Sequence, residues 1–186
     1  MMARTRRLWA YAALAAFAAV VHDGGHLLRG TAHDVLWMCN VAPVLLAVGS
    51  GIRDATLVAV GTLWLGYGTP LWLLDLATGS NLIPTSVLPH VLCPVLGILA
   101  TRELGVPKHA WLHATAALVV VLLLARVFTP PESNVNLVYS VWKGWEAYFP
   151  RHDLYLAFGI ATSALTFFLV ERLLRVVARP REVVVS

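Results

Sequence analysis

Charge is scarce in this chain: of 186 residues, 13% are Asp, Glu, Lys or Arg, against roughly 25% in a soluble domain. Hydrophobic residues make up 59%. That balance excludes a water-covered globule and belongs in lipid. Cysteine is nearly absent, and Cys39 and Cys93 both fall inside apolar stretches, so a disulfide framework is excluded. Long polar stretches are also lacking. At about 20 residues per membrane helix, the chain has room for six spans and short connections but not for a separate soluble domain. The net charge of +4 does not point to nucleic acid, because the arginines gather at span ends. No small-residue cleavage site follows the first apolar run; His22 and Asp23 do, so the N-terminal segment reads as a retained span and not as a signal peptide.

What is present is a series of apolar stretches bounded by charge, Gly or Pro, at about 8–28, 34–50, 55–76, 83–100, 110–128 and 154–176. They predict an all-α, polytopic membrane bundle of about six transmembrane helices in a single domain. Under that assignment Arg4, Arg6, Arg7, Arg53, Arg102, Lys108, Arg172, Arg175, Arg179 and Arg181 share one side, against Arg29, Lys143 and Arg151 on the other. The bias places both termini inside. Arg126 falls near the outer end of the fifth span, where it must snorkel or pair.

The one long connection, 129–153, opens with Pro130-Pro131 and is rich in aromatic residues. Val138, Trp142, Trp145 and Phe149 recur at helical spacing, which predicts an amphipathic helix in the outer interface. It serves either as an aromatic anchor or as a lid over an outward-facing cavity.

Polar side chains inside spans are costly and usually face the bundle interior. Counting about 1.5 Å per residue brings His22, Asp23 and His26, then His33, Asp34, Cys39 and Asn40, then Asp75, then His90, to one outer level, with Glu132, Asn134 and Asn136 supplied by the loop. The pair His109 and His113 lies at the opposite end and suits an interfacial helix start.

Two chemistries fit this set. His22-Asp23-Gly24-Gly25-His26 sets two imidazoles on one helix face with a carboxylate between them. That pattern supplies two zinc ligands and a base, with His33, Asp34 or His90 as a third ligand. The plainer alternative is a span end broken by glycines with wetted histidines. In the second chemistry, His90 activates the Cys39 thiol, and Asn40, Asn134 or Asn136 donates to an oxyanion. Its alternative is a cysteine that only packs. Asp75 and Trp142 complete the expected pocket. Pro43, Pro70, Pro84, Pro89 and Pro94 interrupt the middle spans, and Pro89-His90 is the most suggestive, since a kink there exposes backbone beside the imidazole.

Three stretches, His33-Asp34-Val35-Leu36-Trp37-Met38-Cys39-Asn40, Leu88-Pro89-His90, and Thr129-Pro130-Pro131 leading to Asn134-Val135-Asn136-Leu137-Val138-Tyr139, resemble a group of uncharacterised bacterial multi-span membrane proteins. Their order is also similar to the androgen-induced-protein type of intramembrane lipid hydrolase and to membrane acyltransferases. The resemblance implies a bacterial cytoplasmic membrane location, Cys39 as nucleophile and His90 as its histidine, although that hydrolase group has threonine at the Cys39 position and the bacterial group is expected to have serine.

The leading expectation is therefore an enzyme acting on a membrane lipid or other apolar ester. The alternatives are a metal-, haem- or quinone-binding membrane protein, and an accessory subunit that docks other membrane-protein subunits.

Overall fold

The computed structural model describes residues 2–178, so Arg179 and Arg181 of the charge argument lie outside the described residues. Six helices form an all-α bundle of the membrane type: α1 (Met2–Leu28), α2 (Met38–Ile52), α3 (Ala55–Ala77), α4 (Cys93–Leu104), α5 (Ala110–Phe128) and α6 (His152–Val177). Four of them, and the composite fourth span Pro84–Leu104, are long and apolar enough to cross a membrane. At 15 residues, α2 reaches only about 22 Å, short of a hydrocarbon core of about 30 Å.

The hydrophobic pattern explains the arrangement. Nine residues of α3, from Val58 to Gly68, are buried, and α3 packs against α2, α4, α5 and α6. Trp64 lies fully inside, its Nε1 donating to the Ala114 carbonyl of α5 at 2.9 Å. By contrast, α6 exposes Leu165, Leu169, Leu173 and Val176 along one stripe, an apolar face too large for a water-soluble surface and suited to lipid.

Close helix approach depends on missing side chains. A Cβ on Gly61 would sit 2.9 Å from the Ala42 carbonyl, and one on Gly97 would sit 2.5 Å from Thr62 Oγ1. Between α2 and α3 the chain turns in two residues. Arg53 takes a left-handed φ of 63°, and Asp54 caps α3 by accepting from Thr56 N and Leu57 N, an N-cap geometry that satisfies orphan donors.

One end of the bundle is tied by Arg–Glu pairs. Arg4 bonds the Glu103 carbonyl, and Arg7 Nε donates to Glu103 Oε1 at 2.7 Å. Buried Glu171 accepts from Trp111 N in the first turn of α5 at 2.8 Å and from Arg175 Nε at 2.9 Å. The other end carries the polar side chains described next.

The expected interfacial helix does not form. Residues 138–151 contain turns and bends only. Asn134, Asn136 and Leu137 all have positive φ, as does Gly144, and Asn134 Oδ1 takes the amides of Tyr139 and Ser140, which a helix would have needed for its own carbonyls. Arg126 pairs as anticipated, donating to the Val138 carbonyl at 3.0 Å and lying 4.3 Å from the centre of the Tyr139 ring.

Candidate functional site

The fourth span begins irregularly, and its prolines are the cause. A 3₁₀ turn, Pro84–Ser86, leads into a π-helical turn, Leu88–Leu92, before α4. Pro89 and Pro94 have no amide hydrogen, so the α-helical partners of the Thr85 and His90 carbonyls are missing. Thr69 Oγ1 of α3 donates to the His90 carbonyl at 3.3 Å and so replaces one of them. Single π turns recur at functional positions because they re-aim a side chain, and here that side chain is His90. Its ring is buried, stacks on Trp72 with centroids 4.7 Å apart, and places Nδ1 2.9 Å from the Ser86 carbonyl. A carbonyl only accepts, so Nδ1 carries the proton and Nε2 of the neutral ring is left as an acceptor.

In α1 the buried stripe Leu8, Ala12, Ala15, Ala19 continues into His22 and His26. The two rings meet edge to face at 4.8 Å. His22 Nδ1 lies 2.9 Å from Thr85 Oγ1, while His26 Nδ1 lies 2.9 Å from Thr31 Oγ1 and 3.2 Å from Asp34 Oδ2. His22, Asn40 and His90 border the same cavity, which brings α1, α2 and the fourth span together at one polar level.

Because α2 starts late, its first amides need partners. Met38 N donates to Asn136 Oδ1 at 2.9 Å, Asn136 Nδ2 donates to the Leu36 carbonyl at 2.7 Å, and Asn40 Nδ2 donates to the Asp34 carbonyl at 2.9 Å. Irregular backbone inside a membrane protein is tolerated where it is buried or lines a cavity, and both conditions hold here.

These groups border a cavity of about 580 Å³, within the 300–1,000 Å³ usual for small-molecule sites. Of the residues singled out from the sequence, His22, His26, Cys39, Asn40, Asp75, His90, Asn136 and Trp142 all reach its wall. His33 and Asn134 do not. Asn134 spends its amide on the turn, with Nδ2 donating to the Ser140 carbonyl, and Asn136, though on the wall, is committed to backbone at both ends of its amide. The Cys39 thiol points to Asn40 Oδ1 at 3.6 Å.

The zinc expectation is corrected. Among the described residues no group of three His, Cys, Asp or Glu side chains is placed to hold a metal. His33 turns to Asp34, Nε2 to Oδ1 3.7 Å, and Asp23, foreseen as the base, is not on the cavity wall; its Oδ1 is buried without a hydrogen-bond partner. Two imidazoles alone do not meet the three-ligand need of a catalytic zinc.

Sequence reasoning missed Trp72, Thr85 and Ser86. An aromatic in an apolar span carries no signal of its own, but Thr85 and Ser86 precede Pro89 within a turn of the noted His90, and that proximity was the available clue. The chain matches no protein-family model, no curated protein and no solved structure.

Proposed function

We propose that the protein is a membrane-embedded enzyme that admits an apolar ester from the surrounding lipid and cleaves or transfers its acyl group, with His90 as general base. The observation that carries this reading is His90 on the wall of a largely apolar cavity, with Nδ1 held by Ser86 and Nε2 free to accept a proton. A base of that kind typically contributes 10²–10⁴-fold. The nucleophile is a water, or an acceptor alcohol in the transfer reaction; the Cys39 thiol already donates to Asn40 and so stands aside. The resemblance to intramembrane lipid hydrolases supports ester cleavage and the histidine, while placing a nucleophilic side chain where this reading has a water. The Lys and Arg asymmetry supports a cavity opening toward the outer leaflet of a bacterial cytoplasmic membrane, with both termini cytoplasmic.

The test is turnover of a panel of glycerol and p-nitrophenyl fatty esters by protein purified into phosphatidylcholine nanodiscs. Hydrolysis that falls at least about a hundredfold in His90→Ala and persists in Cys39→Ala supports the reading. A preparation that hydrolyses no ester, or one that carries stoichiometric quinone or haem instead, overturns it.

A further inference from the structure

The cavity wall is unusual in its charges. Among the described residues that line it there is no Lys or Arg, whereas Asp34 and Asp75 both do. The nearby cations do not line it. Arg126 belongs to a separate depression and is held by the Val138 carbonyl and the Tyr139 ring. Arg151 pairs with Asp153, Lys143 is exposed, and Arg29 is exposed at the end of α1, one turn beyond His26.

Most backbone amides at this level are also committed. At the entry to α2, Met38 N is taken by Asn136 and the amides of Asn40 and Val41 by the Trp37 carbonyl, so three of the four donors that would otherwise bind an anion are spent. Of the three imidazoles, His26 has the Asp34 carboxylate at 3.2 Å, which offsets any positive charge on that ring, and His90 gives its Nδ1 proton to Ser86.

We infer that the cavity takes a lipid whose head is uncharged, a hydroxyl- or ester-bearing neutral amphiphile such as a monoacylglycerol, and rejects fatty-acid and phospholipid anions. This rests on the functional reading above and names its substrate class. An anionic head would be buried with two carboxylates and no cation, which is costly without a partner. A cationic head finds only Asp75, because Asp34 is engaged by His26 and by Trp37 Nε1 at 3.3 Å. An uncharged head meets donors and acceptors already in place: His22, Asn40, His90 Nε2 and Ser163.

The experiment compares three brominated C18 probes, a monoacylglycerol, the matching fatty-acid anion and the matching quaternary ammonium, by quenching of tryptophan fluorescence in phosphatidylcholine nanodiscs. Trp72 and Trp142 on the wall report occupancy. The monoacylglycerol is expected to bind at least about tenfold more tightly than the fatty-acid anion. Asp75→Arg is expected to raise affinity for the anion by about tenfold with an unchanged thermal midpoint. Equal affinity for the anion, or tighter binding of the quaternary ammonium than of the monoacylglycerol, overturns the inference and leaves an enzyme of different substrate range standing. Failure of all three to bind overturns both the inference and the proposed function.

Discussion

Asn136 accepts the Met38 amide at 2.9 Å across 98 positions of sequence, and its Nδ2 bonds the Leu36 carbonyl on the other side of Trp37. One side chain thereby fixes where α2 begins and, with it, the depth at which Cys39 and Asn40 enter the bundle. Replacing Asn136 with Ala leaves a donor and an acceptor unmatched, each worth about 1–3 kcal/mol when buried. The variant is expected to lose about 2 kcal/mol or more in thermal or denaturant unfolding in detergent. Asn134→Ala is expected to lose less, since its partners Ser140 and Tyr139 lie in a partly exposed turn. Equal losses would contradict this account.

The helix contact at Gly97 is tight enough to test α3–α4 packing. A methyl there meets Thr62 Oγ1 at 2.5 Å, and Thr62 is held in place by its bond to the Val58 carbonyl at 2.7 Å. Gly97→Ala is expected to cost about 1–3 kcal/mol, with partial recovery when Thr62→Ala is added. An additive double mutant would mean that the two residues do not touch.

At the opposite end, Glu171 serves two partners at once, Trp111 N and Arg175. Glu171→Ala removes both the cap on α5 and the ion pair, and is expected to destabilise by about 2 kcal/mol. Glu171→Gln keeps an acceptor for the α5 amide and is expected to lose about half of that. If the two variants behave alike, the cap contributes nothing.

The orientation is checked by labelling. In a background free of Cys39 and Cys93, Ser80→Cys lies at the cavity end and Lys108→Cys at the other, both at exposed positions. In intact cells an impermeant maleimide is expected to label position 80, and to reach position 108 only after permeabilisation. The reverse pattern would turn the cavity toward the cytoplasm.

Much of this architecture was legible in the sequence because lipid imposes a one-dimensional rule: a span is a run of apolar residues of fixed length. The fifth stretch coincides with α5, and the third and sixth differ from α3 and α6 by one or two residues at an end. The convergence of His22, His26, Cys39, Asn40, Asp75 and His90 followed from the same rule, since depth is a count of residues from a span end.

Two features were not legible in that way. The periodicity of Val138, Trp142, Trp145 and Phe149 matched a helix, but local side-chain bonds from Asn134 and the left-handed residues beside it took precedence, and Trp142 and Trp145 reach the cavity wall from turns. The zinc pattern of His22 and His26 depended on a third ligand, and none is placed with them among the described residues. His33 turns to Asp34 instead, and no spacing rule encodes that.

The central claim is that this polar-tipped cavity, and not the lipid-facing surface, receives an apolar molecule. It is tested most directly by photocrosslinking an uncharged monoacylglycerol, carrying a diazirine in its chain, to the protein in native membranes and mapping the adducts by mass spectrometry. Adducts on Leu71, Trp72, Leu118, Leu122 or Phe158, suppressed by excess unlabelled monoacylglycerol, are expected. Adducts confined to outward residues such as Phe17, Val120 and Leu165, and insensitive to competition, would contradict the account.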